Sequence, residues 1–168
     1  MDRTNHLWKT PGIHVPLSLD RLVEFPVLKG CVEGWRRLSA GGLPATIDPV
    51  AMPVEAIKGI SLIVRKDQAG DWVVRLSSTL MDQGYGRSMT GCVLSEAFGE
   101  QEYPGVRERL EKILASGVPD LARREFIGTR NRRWAYVRLV LPLSSDGVKR
   151  DRYAVIYDPG TFGQRLGD

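Results

Sequence analysis

The sequence predicts an α+β fold, in which a five-stranded antiparallel sheet carries short helices on one face and has an N-terminal helical extension. The main evidence is the stretch 123–158, where three apolar runs are separated by two short polar breaks. Breaks this short join antiparallel neighbours, because a parallel return needs a dozen or more residues. The second break ends in Asp146-Gly147, a strong turn signal. Two further strands, 60–64 and 72–76, are expected to form a hairpin earlier in the chain.

The segment between these two groups of strands predicts short helices. Residues 77–98 are expected to form short helical turns and loops, because three glycines interrupt them. Residues 104–115 have apolar side chains on one helical face and mixed charges on the other, so they predict a helix that begins near Pro104 and ends at Gly117. Helices this short and interrupted do not cover a sheet tightly. We therefore expect a pocket between them and the sheet.

The N-terminal region predicts an arm with a short helix over 1–26 and a longer helix over 27–40. Ser18 is a candidate N-cap of the short helix. One face of the longer helix carries the residues Leu28, Cys31, Trp35 and Leu38. This stripe is interpreted either as core packing of the helix or as an interface with a partner or a second copy. The main domain is expected to span 27–158, followed by a fraying tail over 159–168.

Composition is that of a soluble globular protein. The chain has 168 residues with 42% hydrophobic side chains, enough for one core. No apolar run is long enough to cross a membrane, and the first residues lack the apolar region of a secretory signal. With only two cysteines, a disulfide framework is not expected and a cytoplasmic location is the default. The formal charge of +4 is compatible with acidic ligands, but an ordinary protein also carries it.

The sequence lacks the combinations of residues that several kinds of catalysis need. The two histidines, His6 and His14, both lie in the predicted arm, so a serine or cysteine nucleophile has no histidine base within the fold. No cluster of His, Cys and carboxylate side chains has the spacing of a metal site. No glycine-rich phosphate loop precedes a lysine. The sequence therefore predicts a protein that is not an enzyme and binds no metal.

Short motifs along most of the chain resemble a known family. They are Trp35-Arg36-Arg37-Leu38, Leu43-Pro44, Ile47-Asp48-Pro49, Arg75-Leu76, Gly86, Thr90-Gly91, Leu141-Pro142-Leu143-Ser144 and Asp146-Gly147. The predicted ββ–short helices–βββ order is that of the PAS fold, and these motifs resemble the stand-alone PAS-like family common in alphaproteobacteria over about 27–157. One departure is Ser78-Thr79, where the family usually has a Gly-Thr pair. The resemblance implies a bacterial sensory or signalling module that binds a small ligand or a protein partner, and many such domains dimerise through an N-terminal helix.

Two cofactors found in some PAS-like domains are not expected here. Haem most often takes an axial histidine, and both histidines lie in the predicted arm. Photochemical flavin binding needs a cysteine in an Asn-Cys-Arg-Phe-Leu-Gln setting in light-sensing relatives. Cys92 instead lies in Thr90-Gly91-Cys92-Val93-Leu94-Ser95, which predicts a small buried thiol.

The predicted ligand-binding residues face inward between the helices and the sheet. The apolar candidates are Leu80, Cys92, Leu94, Phe98, Leu110, Ile113, Phe126, Trp134 and Tyr136, and plain core packing is the alternative for each. The polar candidates that would orient a ligand are Arg75, Ser78, Thr79 and Tyr136. Strand alternation places Trp134, Tyr136 and Arg138 on one face. The sequence leaves open which face meets the helices.

Basic residues cluster at both predicted turns of the meander. Those near the first turn are Arg123, Arg124, Arg130, Arg132 and Arg133, and those near the second are Lys149, Arg150 and Arg152. They are interpreted as charged hairpin ends that keep edge strands soluble, or as a contact for an acidic partner surface or a phosphate-bearing ligand. Nucleic acid is not expected, because no recognition helix is present.

These observations lead to two functional hypotheses. The first is a non-catalytic PAS-like sensor that binds a small molecule and relays its state to a signalling partner through protein contacts. The alternative is a ligand-free protein-interaction or dimerisation module that uses an exposed sheet face or the Leu28/Cys31/Trp35/Leu38 stripe.

Overall fold

The computed structural model describes residues 12–66, 70–128 and 131–165. Predictions that concern His6 and Arg130 lie outside these residues. The strands are β1 (Ile13–Leu17), β2 (Ile60–Arg65), β3 (Trp72–Leu76), β4 (Asp120–Ile127), β5 (Arg133–Leu143), β6 (Arg152–Tyr157) and β7 (Gly163–Arg165). The α-helices are α1 (Pro26–Leu38), α2 (Thr79–Tyr85) and α3 (Leu94–Ser116), and the 3₁₀ helices are Leu19–Glu24, Pro49–Ala51 and Val54–Gly59.

The predicted α+β class is confirmed, and so are the five predicted strands. The chain runs through two strands, two helices and three strands from β2 to β6, the predicted PAS-like order. All strand pairs are antiparallel, and the sheet order is β1-β4-β5-β6-β2-β3, with β7 paired to β5. The predicted N-cap is also present, because Ser18 Oγ accepts a hydrogen bond from the Asp20 N–H at 3.4 Å.

Two additional strands extend the sheet beyond the predicted bounds. Residues 13–17, predicted as part of an arm, pair with β4 from Ile13↔Glu125 to Leu17↔Leu121. The tail, predicted to fray, folds back and pairs β7 with the start of β5. Both corrections have the same physical reason: without β1 and β7, sections of β4 and β5 would present unpaired N–H and C=O groups at a sheet edge.

Helices cover both faces of the sheet: the predicted short helices between β3 and β4 share one face, as expected, and the N-terminal helical extension covers the opposite face. α1 and the 3₁₀ helices pack against one face, and α2 and α3 pack against the other. The reason lies in β5, where Leu139 and Leu141 point to one side while Val140 points to the other. A sheet that is apolar on both faces must be covered on both.

The stripe on α1 lies in the core of the chain itself. Leu28 and Cys31 are fully buried, Trp35 is buried and Leu38 is partly buried. The Trp35 Nε1–H donates a hydrogen bond of 2.8 Å to the carbonyl of Pro142 on β5. Burial raises the pKa of the Cys31 thiol to about 12. The packing therefore matches the core interpretation of this stripe and not the predicted partner interface, since its side chains already contact β5 and β6.

α3 runs from Leu94 to Ser116 and is kinked, and the helix predicted over 104–115 lies in the part that follows the kink. Gly99 has φ 79° and ψ 170°, a conformation that is essentially restricted to glycine, and it divides α3 into two helical pieces. The predicted end at Gly117 is confirmed, because this residue caps the helix with φ 66°.

Replacing Trp35 with alanine tests whether α1 is core or interface. We expect Trp35→Ala to lower the free energy of unfolding by about 3–5 kcal/mol, because a buried indole and its hydrogen bond are lost. Val23→Ala, at an exposed position, serves as the control and should change it by less than about 0.5 kcal/mol. Urea unfolding at two protein concentrations is the measurement. A wild-type midpoint that rises with protein concentration and loses that dependence in Trp35→Ala would instead identify a dimer interface.

Candidate ligand-binding cavity

A cavity of about 80 Å³ lies between the sheet and the helices α2 and α3. The helical side contributes Met81, Tyr85, Leu94, Ala97, Phe98, Val106, Arg109, Leu110 and Ile113, with Met89 from the segment between the two helices. The sheet contributes Ile63, Val74, Arg124, Tyr136, Arg138, Val140, Tyr153, Val155 and Tyr157. The wall is therefore mostly apolar and carries a few polar groups, the pattern of a small-molecule site.

The predicted ligand-binding residues divide into two groups. Those that line the cavity are Leu94, Phe98, Leu110, Ile113 and Tyr136. Leu80, Phe126 and Trp134 are buried in the same core without lining the cavity, and Cys92 is partly buried against it. Phe126 packs on Tyr85 with ring centroids 5.1 Å apart, which places it behind the cavity wall.

The polar residues predicted to orient a ligand lie elsewhere, with the exception of Tyr136. Arg75 and Thr79 are exposed. Ser78 is buried, but its hydroxyl caps α2 by accepting a hydrogen bond from the Met81 N–H at 3.0 Å. Its own N–H donates to Ser61 Oγ at 2.9 Å. Ser78 therefore fixes the start of α2 and takes no place in the cavity wall.

Three arginines, Arg109, Arg124 and Arg138, form the charged part of the cavity. The sequence placed Arg124 among the basic residues of the first turn, for which a phosphate-bearing ligand was one interpretation, and it selected neither Arg109 nor Arg138 as a ligand-binding residue. Arg124 on β4 pairs in register with Tyr136 on β5, and Arg138 lies two residues further along β5, so all three side chains share the face that meets α3. Arg109 reaches the same cavity from α3. Arg124 and Arg138 are only 8% and 6% exposed.

The interpretation of Arg124 as part of a charged hairpin end is therefore wrong. Arg123, Arg132 and Arg133 are exposed around the first turn of the meander, as that interpretation requires. Arg124 points to the opposite face from its neighbour Arg123, because side chains alternate along β4. It lies under α3, with its guanidinium 5.9 Å from the centre of the Phe98 ring.

Arg138 is held by a carboxylate from the neighbouring strand. Its Nη1 donates to Asp120 Oδ2 at 2.6 Å and to the Asp120 carbonyl at 3.2 Å. Burial lowers the pKa of Arg138, Asp120 opposes this effect, and Arg124 adds to it. Burial also lowers the pKa of Arg109, followed by the charges of Arg124 and Arg138. The cavity wall thus carries a concentrated positive potential.

His14 belongs to this region, so the expectation that it lies outside the fold is wrong. It sits on β1 directly opposite Arg124 on β4. Its pKa is lowered from 6.5 to about 4, mainly by burial and then by Arg138, Arg124 and Arg109. Asp120 acts in the opposite direction. Its Nδ1 is buried and has no hydrogen-bond partner among the described residues. The imidazole is therefore neutral at physiological pH.

Tyrosines from the sheet and α2 form the centre of the cavity. The rings of Tyr136 and Tyr157 stack with centroids 4.1 Å apart. Burial raises the pKa of Tyr85 and Tyr157 well above the usual value, so both remain uncharged. Phe162 from the segment before β7 packs on Trp134 at 5.2 Å beside this group.

Hydrogen bonds hold α3 over the cavity at the two opposite edges of the sheet. Asp71, between β2 and β3, binds both pieces of α3: the Ser95 hydroxyl donates to Asp71 Oδ2 at 2.7 Å, and the Tyr103 hydroxyl donates to Asp71 Oδ1 at 3.0 Å. On the other side, Glu102 Oε1 accepts a hydrogen bond of 2.8 Å from the Gly12 N–H, just before β1. The position of α3 is therefore tied to the β2–β3 hairpin and to the edge strand β1.

Cys92 does not line the cavity, and burial raises the pKa of its thiol. Within 12–66, 70–128 and 131–165, no three His, Cys, Asp or Glu side chains come together in a way that could hold a metal ion. Among the helices described, none is long and apolar enough to cross a membrane.

Comparison with solved structures finds a likeness at low sequence identity. No family model and no curated protein matches the chain. A solved structure entitled "Structure of an RNA-binding Light-Oxygen-Voltage Receptor" is similar, with a TM-score of 0.45 and 14% sequence identity. The match covers 92% of this chain and 40% of that receptor chain, so the present chain spans well under half of that protein.

The depressed pKa of His14 predicts a pH dependence of stability. In the unfolded chain this histidine takes a proton near pH 6.5, whereas in the fold it does so only near pH 4. Between these values the unfolded state binds more protons, so the free energy of unfolding falls as pH falls from about 6.5 to 4. His14→Gln should remove this part of the dependence. Urea unfolding at pH 7.5 and 5.0 measures it.

Wild type and His14→Gln share Asp120 and the three arginines and differ only at residue 14. The difference between their pH dependences of the free energy of unfolding therefore measures the contribution of His14. Equal losses of stability between pH 7.5 and 5.0 in wild type and His14→Gln would contradict burial of His14 beside the arginines.

Proposed function

We propose that this chain is a non-catalytic PAS-like sensory domain, which binds a small molecule in the cavity and relays its occupancy through protein contacts. The observation that carries this proposal is the cavity itself, with its apolar wall and its few convergent polar groups, set between the sheet and a kinked helix.

The size of the cavity limits the ligand. A cavity of roughly 150 Å³ takes benzene, and a single water needs on the order of 10–15 Å³. At about 80 Å³, the cavity is large enough for a few non-hydrogen atoms and too small for a ring of that size unless α3 moves. The proposed ligand is therefore a small metabolite, or a larger one whose entry displaces α3.

The relay is proposed to pass through α3. Its inner face contributes Ala97, Val106 and Leu110 to the cavity, while its outer face carries exposed charges such as the Glu108–Lys112 ion pair at 3.2 Å. A ligand that favours one position of α3 shifts the balance between positions by its difference in affinity for them. A protein partner that contacts the outer face would then distinguish the filled from the empty cavity.

The chemistry of the cavity wall supports binding more than catalysis. A general base is most effective when its pKa lies near the working pH. The pKa values of the wall residues Tyr85 and Tyr157 are raised well above the usual value, and the pKa of His14, on β1 opposite Arg124, lies near 4. The arginines are hydrogen-bond donors with no acceptor of their own. These groups suit recognition of a ligand.

Filling the cavity with a larger side chain tests the proposal. Ala97 is buried and lines the cavity, so Ala97→Leu should occupy much of its volume. We expect native mass spectrometry of the wild-type protein, or a thermal-shift screen with a panel of small metabolites, to detect a ligand that Ala97→Leu does not retain. Ala115→Leu, on the exposed side of the same helix, is the matched control and should bind as wild type does.

Circular dichroism and the melting temperature of each variant show whether Ala97→Leu remains folded, since overpacking costs about 1–3 kcal/mol. Equal binding by wild type and Ala97→Leu would place the ligand site elsewhere. A wild-type protein that is purified empty and shifts with no member of the panel would contradict the sensor and favour a ligand-free interaction module.

A further inference from the structure

We infer that the sheet carries a docking surface for an acidic protein segment, on the part of its α1 face that the helices leave uncovered. This surface, the open face, is formed by β1, β4, β5 and β7, and its main residues are Val15, Arg123, Glu125, Arg133, Ala135 and Arg165. It lies on the opposite side of the sheet from the cavity, so the inference goes beyond the proposed function and does not depend on it.

The helices on the α1 side cover only part of the sheet. The apolar cluster under α1 includes Leu17 on β1, Leu121 on β4 and Val137 on β5. Because side chains alternate along a strand, the residues two positions further toward the open face point to the same side. These residues are Val15, Arg123 and Ala135. Beyond the helices, apolar side chains of β1 are left to water, since Val15 is 44% exposed and Ile13 is 52% exposed.

β7 completes the open face. Its Arg165 Nη1 contacts Glu125 Oε1 at 3.2 Å across β5, so both side chains lie on the same side of the sheet. Gly163 is directly opposite Ala135. A β-carbon added to Gly163 would meet no atom of the described residues within 4 Å, apart from its chain neighbours. The space above this row of the sheet is therefore open, and the backbone of a partner can approach it closely.

Two arginines face each other at one end of the open face. Arg133 on β5 is directly opposite Arg165 on β7. Like charges in this arrangement destabilise a sheet. Glu125 compensates Arg165, whereas Arg133 forms no salt bridge within the described part of the chain. A carboxylate from a partner would relieve the repulsion between the two guanidinium groups and match their parallel donors.

Arg123 adds a third cation at the other end of the open face. It too forms no salt bridge with the residues that the structure describes. The pKa of Glu24 is lowered first by its hydrogen bond with Arg21 and last by the charge of Arg123. That carboxylate is already engaged, because it accepts two hydrogen bonds of 2.6 and 3.0 Å from Arg21. The open face therefore has a positive potential.

Protection of a sheet edge does not explain these arginines. Charged side chains on edge strands hinder pairing with another chain. Arg123, however, lies on β4 between β1 and β5, and Arg133 lies on β5 between β4 and β7. Both strands are paired on both sides at these residues. The two arginines are therefore placed for contact with a molecule above the sheet.

The composition of the open face favours an acidic protein segment over nucleic acid or a second copy. Single-stranded nucleic acid is commonly held by aromatic side chains on which its bases stack. None of the open-face residues is aromatic, and Trp134 and Tyr136 point to the cavity side. A second copy would bring arginines against arginines. Exposed Ile13 and Val15 beside the arginines fit a segment that combines apolar and carboxylate side chains.

The register predicts the spacing of the acidic residues. Arg123 is paired with Val137, which is four residues from Arg133 along β5. At roughly 3.4 Å per residue, the two arginines are about 14 Å apart along the strands. An extended segment that lies along β5 would therefore carry acidic residues about four positions apart.

Selection from a phage-displayed library of random dodecapeptides tests the inference, with the full chain as the target. We expect the enriched peptides to be rich in Asp and Glu and to contain apolar residues. The most enriched peptide is then synthesised with a fluorescent label, and its affinity is measured by fluorescence polarisation at about 50 and about 300 mM salt. Binding should weaken as salt rises, because contacts between exposed charges are screened.

Arg133→Gln and Arg123→Gln are the main variants, since both side chains are exposed and their replacement should have little effect on folding. Each should weaken binding of the enriched peptide by roughly threefold to tenfold, because one charge-assisted contact is lost. Arg107→Gln, exposed on α3 at the other side of the sheet, is the matched control and should bind as wild type does. Circular dichroism and the melting temperature confirm that each variant is folded.

Gly163→Leu tests the contact without changing the charge of the open face. The added side chain would point into open space, so the fold should tolerate it. It should obstruct a segment that lies over Ala135 and weaken binding of the enriched peptide by at least about tenfold. Unchanged affinity in this variant would exclude a segment that lies over β5 and β7.

The remaining outcomes are equally decisive. Equal affinities of wild type, Arg133→Gln and Arg123→Gln, or enrichment of peptides without acidic residues, would overturn the inference. Tighter binding of a uridine dodecamer, weakened by the same two variants, would identify a nucleic-acid surface instead. A dimer that Gly163→Leu abolishes would assign the open face to a second copy. No enrichment of any peptide would also overturn the inference, and the proposal for the cavity would stand.

Discussion

Burial of β5 on both faces is the constraint on which the rest of this structure depends. Every residue from Trp134 to Leu143 is buried. The strand pairs with β4 on one side and with β6 and the short β7 on the other. One face packs against α1 and the other against α2 and α3, so a single strand contributes to two hydrophobic cores. A strand of this kind requires helices on both faces, since neither face can be left to water.

The same constraint explains why charge is buried in this fold. Arg138 lies in the middle of β5, where its guanidinium cannot reach water past α3. Asp120 on the adjacent strand supplies the compensating carboxylate. Arg124, opposite Tyr136, and Arg109 from α3 then bring two more cations to the same cavity. An ordinary core would fill this volume with apolar side chains, and the departure from that rule is what distinguishes the cavity from a packing defect.

Much of the central sheet could be predicted from sequence, because short breaks between apolar runs dictate antiparallel pairing. The shared face of Trp134, Tyr136 and Arg138 followed from strand alternation alone. The placement of Arg124 did not, because it depends on the register between β4 and β5, and the polar residues of their turn do not specify it. β1 was missed because Pro16 and the short run around it resemble a loop. Coverage of both faces by helices did not follow from the sequence, because strand alternation leaves open which face of β5 meets which helix.

The backbone at Gly99 has a consequence for how mutations in this chain are interpreted. Its φ of 79° with ψ of 170° turns α3 between its two pieces, and a residue with a β-carbon would be strained there whatever the space around it. A saturation scan should therefore find this site as intolerant as any ligand contact, although glycine has no side chain with which to bind. Loss of function on substitution of Gly99 would therefore reflect the backbone conformation of α3. A map of the binding site drawn from such a scan should leave Gly99 out.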